Sequence, residues 1–104
     1  MLDATFAALA DPTRRAILGL LAENELSVGE VVEQFPITQS AISRHLTVLE
    51  NAQLIERRRE GQRRICALRA EPLAEVDDWI ERYRAYWGSA LRRLDKAVAK
   101  RRKP

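Results

Sequence analysis

Between Thr38 and Glu50 the apolar positions Ile42, Leu46 and Leu49 recur at spacings of four and three. That predicts a helix with one narrow buried stripe and His45 at its edge. Gln39, Ser40, Ser43, Arg44 and Thr47 cover the rest of its surface. A solvent-facing helix is usually rich in Glu and Lys, which favour helix and solvate well. Short hydroxyls with one amide and one guanidinium suit something else. Small side chains let the backbone approach a groove, and Gln and Arg present forked hydrogen-bonding ends.

The same reading places the neighbouring elements. Leu2–Ala10 is a short apolar helix without a cap, with Phe6 and Leu9 three apart, and it needs a partner to be stable. Asp11-Pro12 predicts an N-cap followed by proline at the first helical position. Ile17, Leu18, Leu20 and Leu21 make Thr13–Ala22 a core helix. Arg14 and Arg15 fall in its first turn, where the helix dipole disfavours cations, and two roles stand open for them: solvated charge or phosphate contact. Ser27-Val28-Gly29-Glu30 has the form of a capping box, so a helix begins at Val28, buries Val31, Val32 and Phe35, and stops at Pro36. A turn of about three residues then leads to Thr38, which caps the reading helix, and the unit over 28–52 has helix-turn-helix spacing.

Asn51-Ala52-Gln53 ends that helix, and Leu54–Arg59 and Arg63–Leu68 flank Glu60-Gly61-Gln62 as a β-hairpin. Arginines 57, 58, 59, 63 and 64 surround its tip. A hairpin of that charge directly after a helix-turn-helix reads as a wing over 54–69. From Glu71-Pro72 to about Lys100 a final helix carries Leu73, Val76, Ile80, Tyr83, Trp87, Ala90, Leu94 and Ala97 at alternating spacings of three and four. That is a coiled-coil seam, widened by Trp79, Tyr86, Leu91 and Val98. A body this small does not cover so long a helix, so a second copy is expected on it. The candidate dimer interface is Phe6, Leu9, Leu73, Val76, Ile80, Tyr83, Trp87, Leu91 and Leu94. The expected architecture is mainly α with a small β-hairpin: one winged helix-turn-helix domain over 1–104, ending in a dimerisation helix at 72–100.

Composition sharpens this picture. A chain of 104 residues with 46% hydrophobic and 32% charged positions fits one globular domain. The net charge of +3 is modest, but residues 38–69 hold seven arginines against Glu50, Glu56 and Glu60. A basic block beside a candidate reading helix points to a polyanion. Without an apolar run near membrane-spanning length or a signal-peptide pattern, the chain is expected to be cytoplasmic and not membrane-bound. The single cysteine, Cys66, excludes an intramolecular disulfide and fits a reducing compartment.

Enzyme chemistry has no footing here, since no glycine-rich phosphate loop, metal cluster or Cys/His pair is present. His45, beside Leu46 and Leu49, reads as a packed helix-edge residue rather than a pH sensor. Cys66 reads as a buried strand residue, because thiol sensing within one chain wants a resolving partner. Charged residues on an edge strand also deter aggregation, but behind a helix-turn-helix the wing arginines read as phosphate contacts. The candidate DNA-binding set is Thr38, Gln39, Ser40, Ser43, Arg44, Thr47, Arg57, Arg59, Arg63 and Arg64. The rival is a winged-helix protein-interaction adaptor without specific DNA binding. An adaptor has no reason to concentrate arginine at the wing beside such a reading face.

Three stretches carry a family resemblance: Asp11-Pro12-Thr13-Arg14-Arg15-Ala16-Ile17-Leu18, Glu25-Leu26-Ser27-Val28-Gly29-Glu30-Val31, and Ile37-Thr38-Gln39-Ser40-Ala41-Ile42-Ser43-Arg44-His45-Leu46. With Leu49–Ile55 and Gly61-Gln62-Arg63, the chain over roughly 5–70 resembles the bacterial ArsR-type winged-helix repressors. The resemblance implies a homodimer on double-stranded operator DNA that blocks transcription, paired through its first and last helices. It also implies reading of the major groove by the second helix of the motif. Metal-sensing members carry a Cys-x-Cys pair where this chain has Leu26-Ser27-Val28-Gly29, or Asp, His and Glu ligands along the last helix. Here Ser27 and Val28 offer no thiolate, and the only histidine is His45. A zinc or thiophilic site needs about three or four converging ligands. The resemblance therefore implies the metal-independent branch, similar to autorepressor-type members with a Trp- and Tyr-rich last helix. It implies no cofactor and leaves the effector unspecified.

Overall fold

The computed structural model describes residues 2–102. In chain order the elements are α1 Leu2–Leu9, α2 Pro12–Glu23, β1 Leu26–Ser27, α3 Val28–Glu33, α4 Gln39–Asn51, β2 Ile55–Glu60, β3 Arg63–Leu68 and α5 Glu71–Arg102. The caps fall where the side chains dictate. The Asp11 carboxylate accepts from the backbone N–H of Thr13 at 2.8 Å and of Arg14 at 3.1 Å, with Pro12 opening α2. The Ser27 hydroxyl accepts from Glu30 N–H at 3.1 Å, and the Glu30 carboxylate accepts from Ser27 N–H at 2.8 Å, completing the capping box of α3. The Thr38 hydroxyl accepts from Ala41 N–H at 3.1 Å and starts α4.

Beyond shifts of one or two residues at the ends of α1, α2, β2 (which takes Glu60 from the turn) and α5, two departures from the expectation change the architecture. Helix α3 ends at Glu33, because Gln34 and Phe35 donate one residue short, to Val31 and Val32 at 3.0 and 3.3 Å, and tighten the last turn. The connection to α4 therefore spans residues 34–38 rather than about three. Leu26–Ser27, where the sequence pattern predicts only the Ser27 cap of α3, also forms a short strand opposite Ile65–Cys66, so the hairpin becomes a three-stranded antiparallel sheet of order β1-β3-β2.

Helix α4 terminates in a Schellman motif. Leu54 N–H donates to Leu49 O at 3.0 Å and Gln53 N–H to Glu50 O at 2.9 Å, with Gln53 in the left-handed region at φ 61°. Leu49 and Leu54, the positions that such a motif brings together, are both fully buried in the core. The register across the wing then runs from Ile55↔Leu68 to Glu60↔Arg63, and Gly61 takes the φ of +63° that a two-residue turn demands.

The core gathers Ile17 of α2, Val31 of α3, Ile42, Leu46 and Leu49 of α4, and Ile55 and Cys66 of the sheet. Each fully buried aliphatic side chain contributes about 1.5–3 kcal/mol. The stripe read from spacing alone is thus the face by which α4 rests on the core. Helix α5 leaves this body. Leu73 packs on the core and Trp79 meets Phe6 of α1 edge-on at 5.8 Å between centroids, but from Ser89 to Arg101 every side chain is exposed. The radius of gyration, 17.9 Å, exceeds the roughly 13 Å of a compact domain of this size because of that projection.

Candidate nucleic-acid interface

With Ile42, Leu46 and Leu49 buried, α4 turns Gln39, Ser40, Arg44 and Thr47 outward, with Thr38 exposed before them and Ser43 half-exposed. Part of this set is occupied. Thr38 serves the cap and lies 3.2 Å from the Ser40 hydroxyl, and Thr47 donates its hydroxyl to Ser43 O at 3.0 Å. Gln39, Ser43 and Arg44 keep their side-chain donors open among the described residues. Two residues escaped the sequence reading. Asn51, exposed, continues the row of Arg44 and Thr47 at helical spacing, and Val48 is 38% exposed one turn after Arg44. Their spacing from Arg44 was the available signal. An apolar Val48 is the right chemistry for a thymine methyl.

The wing arginines divide by strand face. Arg57 and Arg59 alternate with Arg58 along β2, and the register sets Arg59 opposite Arg64 and Arg57 opposite Cys66. On one face Arg58 grips Glu25 through two nitrogens at 2.6 and 3.1 Å and reaches Glu60 at 3.1 Å, while Arg63 donates to Glu30 at 2.8 Å. On the other, Arg57 donates to Glu50 of α4 at 2.8 Å. Arg59 and Arg64 are exposed and have no ion pair among the described residues. A cavity of about 340 Å³ is lined by Glu50, Arg57, Arg58, Arg59 and Arg64, of which Arg57, Arg59 and Arg64 share this face with the one carboxylate. A second groove, about 400 Å³, brings Gln39 and Ser43 of α4 together with Gln62, Arg63 and Arg64 of the wing. The two halves of the candidate site thus share one concave surface.

The carboxylates of this region are held as anions. The Arg57 hydrogen bond keeps the Glu50 carboxyl below its usual range, the Arg58 hydrogen bond does the same for Glu25, and Ser27 N–H, followed by Arg63, for Glu30. Burial pushes the Cys66 thiol up, against a smaller opposing pull from Arg57. Cys66 is therefore a neutral, fully buried thiol. Among the described residues no three of His, Cys, Asp and Glu converge as a metal site.

Arg14 and Arg15 take a role that neither reading of them included. Arg14 donates through Nε to Ala8 O at 2.6 Å and through Nη2 to Ala7 O at 3.2 Å, and Arg15 donates to Leu9 O at 2.7 Å. They satisfy the last carbonyls of α1, where the helix dipole favours cations. The Nη1 of Arg14 also lies 3.3 Å from Nδ1 of His45, which is half-buried at the edge of the α4 stripe.

Of the candidate dimer residues, Leu9 and Leu73 pack against the core of their own chain. Val76 and Trp87 are half-buried, and Phe6, Ile80, Tyr83, Leu91 and Leu94 are exposed. Trp79, Tyr83 and Trp87 form a row along α5, with centroids 5.5 Å apart for the first two and 6.0 Å for the stacked last two.

Comparison with known proteins places this arrangement. Residues 11–57, from the cap of α2 into the first wing strand, match the family described as bacterial regulatory protein, arsR family. The HTH-type transcriptional regulator Rv2034 of Mycobacterium tuberculosis is 40% identical over 89 residues, 86% of this chain and 80% of the relative. The transcriptional repressor SdpR of Bacillus subtilis is 37% identical over 75 residues, 72% of this chain and 83% of the relative. The structure of an ArsR-like transcriptional regulator from Rhodococcus sp. RHA1 superposes with a TM-score of 0.74 at 28% identity, over 92% of this chain and 91% of that one.

Proposed function

The chain belongs to the arsR family of bacterial regulatory proteins and is a DNA-binding transcriptional regulator rather than an enzyme, and we propose that it acts as a homodimeric repressor on an inverted-repeat operator. In this reading α4 enters the major groove and presents Gln39, Ser40, Ser43, Arg44 and Thr47 behind the Thr38 cap, while Arg59, Arg63 and Arg64 of the wing meet the phosphate backbone. Arg57 belongs to the same surface as the residue that joins wing to helix. The observation that carries this is the register pair Arg59↔Arg64. Like charges placed directly across a hairpin cost stability. An exposed pair of arginines without a direct ion pair among the described residues, Arg64 feeling Glu50 only at longer range, makes physical sense opposite a polyanion.

Dimerisation has its own support. Residues 71–81 of α5 carry Glu71, Glu75, Asp77, Asp78 and Glu81 without a base, and residues 92–101 carry five bases against Asp95. Two such helices paired antiparallel about a two-fold axis set acidic half against basic half, and cover Tyr83, Leu91 and Leu94. The winged body over 2–70 and the α5 seam then form one functional unit. The name of SdpR supports repression as the outcome. No helix among the described residues is long and apolar enough to cross a membrane, and we place the protein in the cytoplasm with its DNA.

The test is a footprint on the DNA upstream of the chain's own gene, run beside sedimentation of the free protein. A two-fold-symmetric protected site, with half-site centres about one helical turn or a multiple apart, and a dimer at micromolar concentration are expected. A monomer, or a footprint without a dyad, contradicts the reading.

A further inference from the structure

Glu30 already does to Arg63 what a phosphate would do. One oxygen of its carboxylate accepts from Ser27 N–H and from Arg63 Nη2, each at 2.8 Å. The pair lies in the open, with side chains 47% and 62% exposed, beside the groove that joins the start of α4 to the wing. The capping box does not require this arrangement, because Gln at the third helical position caps as Glu does. Only the carboxylate adds an ion pair with Arg63. The contrast with Arg57 and Glu50 is geometric: those side chains are 19% and 39% exposed and tie β2 to α4.

We propose that Glu30 sets the DNA affinity of the wing: it holds Arg63 in the free protein, and a DNA phosphodiester must displace it before Arg63 reaches the backbone. This rests on the DNA-binding reading above and adds a residue to it. Each binding event exchanges one guanidinium–carboxylate contact for one guanidinium–phosphate contact, so the wing delivers less affinity than its arginines would if unpaired. An exposed ion pair of this kind is equivalent to about two- to fivefold in affinity.

The experiment is a set of affinities for operator and scrambled duplex at one salt concentration. Glu30→Gln keeps the cap acceptor for Ser27 and leaves Arg63 at most a neutral acceptor in place of its ion pair, whereas Glu33→Gln removes one charge from the same helix and breaks no ion pair among the described residues. Glu30→Gln is expected to bind about two- to fivefold more tightly than Glu33→Gln on both duplexes. In an Arg63→Ala background that advantage disappears. In the otherwise unaltered protein, Arg63→Ala is expected to weaken binding less than Arg64→Ala, since Arg63 gives up a partner to bind. Equal affinities for the two Gln variants, an advantage that survives Arg63→Ala, or an Arg63→Ala loss as large as that of Arg64→Ala each overturns the proposal while leaving DNA binding intact. A wild-type chain that retards neither duplex removes both readings together.

Discussion

Arg57, on the first wing strand, donates to the Glu50 carboxylate in the last turn of the reading helix at 2.8 Å. The bond joins the two parts of the proposed DNA surface across a connection whose remaining geometry is the Schellman turn at Gln53. Arg57→Ala leaves Glu50 half-exposed without its partner and is expected to cost about 1 kcal/mol, on the order of 4–8 °C in Tm for a domain of this size. Arg59→Ala, which breaks no ion pair among the described residues, is expected to leave Tm unchanged or slightly raised, since it relieves the repulsion with Arg64. Thermal unfolding followed by circular dichroism separates the two, and equal effects would dissolve the division of the wing.

Gln53 sits at φ 61°, where a residue with a Cβ carries strain of about 1–2 kcal/mol that glycine avoids. Gln53→Gly is therefore expected to raise stability, with part of the gain offset by the greater freedom of glycine in the unfolded chain. A urea denaturation series measures it. A lowered midpoint would mean that the Gln53 side chain contributes more than its backbone costs.

How far the sequence reached is clearest at these residues. Ile42, Leu46 and Leu49 were legible because helical period and burial say the same thing, and all three are fully buried. The caps at Asp11, Ser27 and Thr38 were legible because they are local, a side chain answering an N–H two or three residues on. Strand β1 was not. A two-residue strand exists only through its partner, and nothing local distinguishes Leu26–Ser27 from a turn. The wing arginines were legible as a charge cluster but not as a divided one. Which of them meets Glu25, Glu30 or Glu50 depends on hairpin register and on helices far away in the chain. Arg14 and Arg15 show the same limit, since their acceptors are the carbonyls of a helix they do not belong to.

Acid should weaken the fold in a defined direction. Backbone N–H groups at the start of α2 hold Asp11 below its usual range, and Arg58, the Ser27 N–H and Arg57 do the same for Glu25, Glu30 and Glu50. Each group binds its proton more weakly folded than unfolded. The stability it contributes is complete above the ordinary carboxylate range and is lost as the pH falls through the lowered folded values. Urea midpoints are expected to fall progressively below about pH 4.5, and less steeply in Glu50→Gln, which has one such group fewer. An identical acid profile for that variant would show that the Arg57 contact does not survive in solution.

The central claim is that α4 reads bases while the wing holds backbone, and one set of titrations addresses it: wild type, Arg44→Ala and Arg64→Ala, each against operator and scrambled duplex at several salt concentrations. Arg44 stands exposed on α4 between Ser40 and Thr47, and in the proposed reading its forked donor meets a guanine edge. Arg44→Ala is expected to lose about 1–3 kcal/mol on the operator and far less on the scrambled duplex. Arg64→Ala is expected to weaken both duplexes alike and to lower the slope of log affinity against log salt by about 0.9. The account is contradicted if Arg44→Ala loses equally on both duplexes while Arg64→Ala leaves the salt slope unchanged.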